Sequence, residues 1–292
     1  MAWLLLYDNY KVSITLSELF PDPGSGFQRR GLIEVPDRKL RSLSVVLPAF
    51  NEQYNLRCTV EAARRILPMV ADEWEIIVVN DGSGDATGRI CDTLANQMPD
   101  TVRALHHNGN KGYGAALKTG IAAARHDWIF FSDSDGQFDF AEISRLLAHT
   151  DTSDIIAGYR GRRNDPPYRA LNAAGWNMLV RISLGVRVRD IDCAFKLFRR
   201  RVFEQVNIRS VGAMVNTEIL SQACRFGMRI TEVEVTHYPR KHGQPSGAKL
   251  RVIIKAFREL FKMWWKLRNI THEQEGLYPR TVTALEMDTP AA

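Results

Sequence analysis

LSVVLPAFNE, residues 43–52, is a short apolar run that ends in polar residues, and the design recurs three times downstream: EIIVVNDGS at 75–83, VRALHHNGNKG at 102–112 and DWIFFSDSDGQ at 127–137. Between these runs lie EQYNLRCTVEAARRIL (52–67), DATGRICDTLANQM (85–98) and GYGAALKTGIAAARH (112–126), each with apolar residues at three- and four-residue steps. Such steps predict helices, and the continuous apolar runs predict buried strands. Strands alternating with helices predict an α/β domain with a mainly parallel central sheet. Sheets of this kind bind ligands at the C-terminal ends of their strands. Here those ends carry Pro48–Glu52, Asn80–Ser83, Asn108–Gly112 and Asp133–Gln137. All four are expected along one edge.

Downstream come a strand, DIIAGYR (154–160), a basic helical region (168–183), DIDCAFKLFRRRVF (190–203), a helix near 216–226, a strand ITEVEVTHY (230–238) and a long helix (248–268). Four parts are expected: an extension (1–41), the α/β domain (42–247), an amphipathic basic helix (248–270) and a disordered tail (271–292). The extension carries a turn-rich PDPGSG at 21–26 and no sustained periodicity. Its start, MAWLLLY, is too short for a signal-peptide core and has no basic residues before it. No stretch reaches the roughly 20 apolar residues that span a bilayer.

The chain has 292 residues, 45% hydrophobic and 25% charged, which excludes disordered, collagen-like and disulfide-scaffold classes. Cys58, Cys91, Cys193 and Cys224 form no C-x-x-C pair, which argues against a zinc site and for a reducing compartment. The net charge of +6 is an average of unlike parts: −6 over residues 42–160 and +14 over 161–270. Residues 249–268 alone carry +6, with Leu250, Ile253, Ile254, Phe257, Leu260, Phe261 and Trp264 on one helical face and basic residues opposite. That distribution points to an anionic membrane surface rather than to nucleic acid. The commoner fate of such a helix is packing on its own core, and both can hold.

Asp133 and Asp135, one residue apart after a strand, can approach one divalent cation with hard oxygen ligands, Mg²⁺ or Mn²⁺ shared with substrate phosphates. Gln137 keeps them company. Asp81 is either an Asx-type turn residue or an acceptor for a nucleobase or ribose. Asn51 and Glu52 divide between helix capping and ligand contact. Lys111, before a helix N-terminus, suits an anionic phosphate or is a plain surface lysine. Neither the Walker G-x-x-x-x-G-K-[ST] pattern nor a G-x-G-x-x-G in the first βα turn is present.

VVLPAFNE, VVNDGSGD, NGNKGYGAAL, FSDSDGQFD, AGYR, DIDCAFKLFRR and YPRKHGQPSG occur in order over residues 42–250. Together they resemble the family-2 glycosyltransferases, in particular the branch that makes polyprenyl-phosphate sugars. The resemblance implies a GT-A (Rossmann-like) three-layer sandwich and inversion at the anomeric carbon. It implies a nucleoside-diphosphate sugar held by Pro48, Asn51, Glu52, Asp81 and Lys111, with Asp133, Asp135 and Gln137 on the metal. Arg160, Arg240, Ser246 and Lys249 would meet phosphate, and Asp190 and Lys196 fall in the D-x-x-C-x-F-K pattern of that branch. Asp192 is an extra carboxylate that competes with Asp190 for its role. Arg199–Arg201 read as a solvated helix start.

The expected function is metal-dependent transfer of a hexose to a polyprenyl phosphate at the cytoplasmic face of a membrane. A lipid phosphate is already an anionic nucleophile and needs no strong base. The alternative acceptor, a hydroxyl of a glycan, lipid or small molecule, needs Asp190 or Asp192 as base. A catalytically silent membrane-bound scaffold is the reading from another class. The polyprenyl-phosphate enzyme would reach its lipid from the surface or through a partner, and the expected protein association is with a membrane protein or as a homo-oligomer.

Overall fold

The computed structural model describes residues 13–15, 32–34, 38–161, 175, 178–240, 260, 261 and 265. A short antiparallel pair, β1 (Ser13–Thr15) with β2 (Leu32–Glu34), stands apart from the main sheet. The domain then alternates β3 (Leu40–Ala49), α1 (Leu56–Val70), β4 (Ala71–Asn80), α2 (Thr87–Gln97), β5 (Val102–His106), α3 (Tyr113–Ala123) and β6 (Trp128–Phe131). After a 3₁₀ turn and α4 (Ile143–Leu147) come β7 (Ile155–Arg160), β8 (Lys196–Arg199), α5 (Arg200–Gln205), α6 (Val215–Arg225) and β9 (Ile230–Val235).

The seven main strands lie in the order β5-β4-β3-β6-β8-β7-β9. β5, β4, β3 and β6 are mutually parallel, as are β7 and β9, while β8 runs antiparallel to both its neighbours. The sheet is therefore mixed, and mainly parallel as expected. The chain moves outward from β3 to β5, then returns to place β6 on the other side of β3. This reversal makes the crevice between the ends of β3 and β6 the natural ligand site.

Alternation along the strands builds the three layers. Val45, Leu47, Ile76, Val78 and Phe130 face one core with α1 and α2. Val46, Ile77, Val79, Ile129 and Phe131 face the other, with α3 and α6. α1 buries Leu56, Thr59, Val60, Ala63, Ile66, Leu67 and Val70, the stripe that its three- and four-residue spacing predicts.

Two boundaries differ from expectation. β3 begins at Leu40, inside the expected extension, because its first residues pair with β4 (Leu40 opposite Ala71) without an apolar run to announce them. β1 and β2 also fall within residues 1–41. Of the expected C-terminal helix, only Leu260, Phe261 and Trp265 are described, all helical. Leu260 is buried in the second core, whereas Phe261 and Trp265 are exposed. Ser246, Lys249 and the tail 271–292 lie outside the described residues. Among those described, no helix is long and apolar enough to cross a membrane.

Candidate active site

The four polar strand ends meet as expected. Asp81 N donates to Ala49 O, and Ser134 Oγ donates to Pro48 O, so the ends of β4 and β6 are tied to β3. Asn51 adopts a left-handed φ of 57° and stitches the next loop in place. Its N–H donates to Ser83 Oγ at 3.0 Å and its Oδ1 accepts from Gly84 N at 3.0 Å. These bonds cap no helix; Asn55 holds the N-cap position of α1.

Asp81 is almost fully buried and heavily engaged. Oδ1 accepts from His107 Nδ1 (2.6 Å) and Lys111 N (2.9 Å), and Oδ2 accepts from Gly112 N (2.8 Å). The carboxylate thus braces the 107–112 loop. His107 is fixed in turn by Thr119 Oγ1 at 2.9 Å from its Nε2. The paired histidines closing β5 were the sequence signal for this brace, which the sequence reading did not use. The side chain of Lys111 is exposed.

The helix N-terminus expected to receive phosphate is occupied. Gly114 N (3.0 Å) and Ala115 N (3.3 Å) of α3 both donate to Val211 O. Gly112, at φ 102° and ψ 157°, makes room: a Cβ there would lie 2.3 Å from that oxygen. Glu218 holds the incoming loop from behind, accepting from Arg209 N (2.9 Å) and Ser210 N (2.7 Å). The glycines of GYG therefore serve a close backbone approach, and this end of α3 is closed to an anion.

The two carboxylates after β6 sit in unlike surroundings. Asp133 is half-buried, and burial together with the charge of Asp135 pushes its pKa up to about 7. Asp135 is buried; its Oδ1 accepts from Gln137 N (3.0 Å) and its Oδ2 from Arg240 Nη2 (3.2 Å). The same Nη2 donates to Glu52 Oε1 at 2.6 Å, and Glu52 Oε2 accepts from Asn55 Nδ2 at 2.7 Å. Burial raises the pKa of Glu52 despite these partners. Gln137 Nε2 donates to Tyr238 O (2.8 Å), and Tyr238 N donates to Gln137 O (2.8 Å). The segment before Arg240 is thereby pinned along the Asp133–Gln137 turn.

Arg160 and Asp190, expected at phosphate and acceptor, meet each other. Arg160 Nε donates to Oδ2 at 2.6 Å and Nη2 to Oδ1 at 2.8 Å, a bidentate pair. Asp192 is exposed by contrast. Lys196 lies within β8, wholly buried. Its Nζ donates to the carbonyls of Ile191 (3.1 Å) and Cys193. Burial lowers its pKa. Buried and bonded to these carbonyls, it shapes the 190–195 loop. Arg199, Arg200 and Arg201 do open a helix, α5, with Arg201 exposed and the other two half-buried, and they bond Ser153 O, His126 O and Asp154 at the opposite end of the sheet.

Among the described residues, no group of three or more His, Cys, Asp and Glu side chains could hold a metal ion by itself. Two acidic side chains are present, however, one with a raised pKa and the other in contact with a guanidinium. That donor set suits a hard divalent cation whose remaining ligands come from a substrate.

A family model described as glycosyl transferase family 2 matches residues 44–206. Glycosyltransferase AglD of Haloferax volcanii is 32% identical over 237 residues, 77% of this chain and 37% of the relative. Polyprenol monophosphomannose synthase of Mycolicibacterium smegmatis is 31% identical, covering 78% of this chain and 90% of its own length. Undecaprenyl-phosphate 4-deoxy-4-formamido-L-arabinose transferase of Pectobacterium atrosepticum is 28% identical over 73% of this chain and 65% of its own. The chain thus spans about a third of the first of these relatives and just under two thirds of the third. Among solved structures, glucosyl-3-phosphoglycerate synthase of Mycobacterium tuberculosis with Mg²⁺ and uridine diphosphate matches with a TM-score of 0.59 at 19% identity, covering 80% of this chain and 81% of that one.

Proposed function

The chain belongs to glycosyl transferase family 2, and on that premise we propose that it transfers a hexose from a nucleoside-diphosphate sugar bound at the ends of β3, β4 and β6. The observation that carries the reading is the Asp133–Asp135 turn at the β3/β6 switch point, with Arg240 already seated on Asp135. Asp133 and Asp135 would hold Mg²⁺ or Mn²⁺. Gln137, whose amide serves Tyr238, would brace the turn. The cation, when bound with the donor, would neutralise charge building on the departing diphosphate. Arg240 stands beside that position and can turn from the carboxylates to phosphate oxygens, where its charge favours the transition state over the ground state. The solved relatives with Mg²⁺, Mn²⁺ and UDP-glucose support this donor chemistry.

Two acceptor classes suit this donor half. The relatives named for polyprenol and undecaprenyl phosphate support a polyprenyl phosphate. The bidentate hold of Arg160 on Asp190 adds to this, since a carboxylate so engaged is a poor base and a phosphate acceptor needs none. The fold relatives that carry phosphoglyceric acid support a hydroxyl acceptor, for which Asp192 is the solvent-exposed carboxylate of the two. In the first case the enzyme would work as a peripheral protein on the cytoplasmic face of an anionic membrane, with Phe261 and Trp265 outward.

A thermal-shift screen of UDP-, GDP- and dTDP-sugars with Mn²⁺ names the donor. Labelled donor is then incubated with polyprenyl phosphate or with hydroxyl acceptors. Organic-extractable label assigns the lipid, and label in an aqueous product assigns the hydroxyl. Asp135→Ala should abolish transfer in either case. Normal turnover in that variant, or no label in any product from the unaltered chain, overturns the proposal.

A further inference from the structure

His106 closes β5 opposite Asn80, the last residue of β4, and the two side chains are joined. A third residue fixes the direction of that bond. Ser83 N, a backbone donor, gives its hydrogen to Asn80 Oδ1 at 3.1 Å, so the Asn80 amide turns its Nδ2 to His106 Nδ1, also at 3.1 Å. Nδ1 therefore accepts and carries no proton. The ring hydrogen sits on Nε2, where Asp92 Oδ1 of α2 takes it at 2.9 Å. Gly88 lets α2 close over the pair, since a Cβ there would stand 3.1 Å from Asn80 Nδ2.

The bonds run on into the sugar-donor site. Ser83 Oγ accepts from Asn51 N, and Asn51 Oδ1 accepts from Gly84 N, both at 3.0 Å. Asn80 is buried, whereas His106 and Asp92 are exposed. An imidazole in contact with water thus stands behind the loop that follows β4. Of the elements packed against β5, α2 supplies Asp92 and β4 supplies the neutral Asn80, and β5 itself is the edge of the seven-stranded sheet. A proton added to Nδ1 leaves the bond to Asp92 in place and sets N–H against N–H at Asn80. The amide can accept from the charged ring only by turning Oδ1 away from Ser83 N.

We propose that His106 is a positioning residue for the nucleotide-binding loop 80–84, which it holds through Asn80 only while Nδ1 is free of a proton. Histidine is the side chain that ordinarily changes charge between pH 5 and 8, so the loop loosens on the acid side. A loosened loop binds nucleotide in proportion to the fraction still in place. The proposal rests on the reading that a nucleoside-diphosphate sugar binds at the ends of β3, β4 and β6.

The test compares the unaltered full chain with His106→Asn, whose amide oxygen takes the place of Nδ1 and accepts from Asn80 at every pH. The probe is whichever of UDP, GDP and dTDP raises the melting temperature most with Mn²⁺, titrated by calorimetry at pH 8 and pH 5.5. Changes at the metal ligands and the phosphates are common to both proteins and cancel in the ratio of affinities. The two should bind alike at pH 8. At pH 5.5 His106→Asn should bind about tenfold more tightly, the worth of one bond to a buried group. His106→Phe, which offers no acceptor, should bind about tenfold more weakly than the unaltered chain at pH 8 and equal it at pH 5.5. Ratios that stay the same at the two pH values overturn the inference and leave the donor reading standing. An unaltered chain that binds none of the three nucleotides overturns the donor reading, and the inference with it.

Discussion

Replacing Gly112 by alanine tests the closure of α3 by the 209–212 loop. The residue stands at φ 102° and ψ 157°, a region open to glycine and costing other residues of order 1–3 kcal/mol. The new Cβ would also lie 2.3 Å from Val211 O, a backbone atom that cannot turn aside. Moving that carbonyl forfeits the bonds from Gly114 N and Ala115 N, each worth about 0.5–1.5 kcal/mol net. Strain and lost bonds together come to about 4 kcal/mol. For a domain of this size that is a fall in melting temperature of roughly 8–16 °C. Gly109→Ala, three residues earlier, is the matched control, because a Cβ there meets nothing within 4 Å. It should stay within about 0.5 kcal/mol of the unaltered chain. Urea melts of the two variants decide the matter. Equal stability of G112A and G109A would refute the seating of Val211 on the helix.

Glu75 is buried among Ser44 Oγ, Arg125 N and the guanidinium of Arg103. Burial pushes its pKa up, but these hydrogen bonds win and hold it below the usual carboxylate value. Its stabilisation is therefore present above the unfolded pKa and lost as pH falls through the lower folded one. Glu75→Gln should cost about 2 kcal/mol at pH 7, discounted because its partners, half-buried Arg103 and exposed Arg125, stay near solvent, and urea melts near pH 3 should show the gap closing. At pH 8 a maleimide should label Cys58 quickly, since it is exposed. Burial lifts the thiol of Cys91 to about 12 and those of Cys193 and Cys224 to about 11, so fast labelling of any of these by mass spectrometry contradicts the packing. Asp190→Asn should free Arg160. Retained transfer with an altered acceptor KM marks Asp190 as a holder of Arg160, and an unchanged KM removes it from the site.

The donor half of the domain was legible because it obeys local rules. Strand-length apolar runs, amphipathic spacing and polar strand ends all lie within a few residues of the features they predict. What stayed hidden depends on distant partners. Nothing near Asp190 announces Arg160, 30 residues earlier in the chain. Lys196 is expected near phosphate only through the D-x-x-C-x-F-K pattern, and nothing local shows that the antiparallel placement of β8 between β6 and β7 buries it. The same placement explains Arg199–Arg201, which charge alone marked as solvated. Lys111 before a helix N-terminus suits a phosphate, yet the sequence does not distinguish an approaching ligand from the approaching carbonyl of Val211.

The contact of Arg240 with Glu52 spans 188 positions, and its contact with Asp135 spans 105. A chain made from its N-terminus can pair β3, β4, β5 and β6 and settle α1 to α3 long before residue 240 leaves the ribosome. Until then the Asp133–Gln137 turn has neither its backbone pairing with Tyr238 nor the guanidinium that offsets Asp135. The sheet can therefore precede the enzyme: a nascent chain ending before β9 would hold much of the fold while its cluster of carboxylates remained uncompensated, so the activity would be switched on by the last part of the domain to be synthesised.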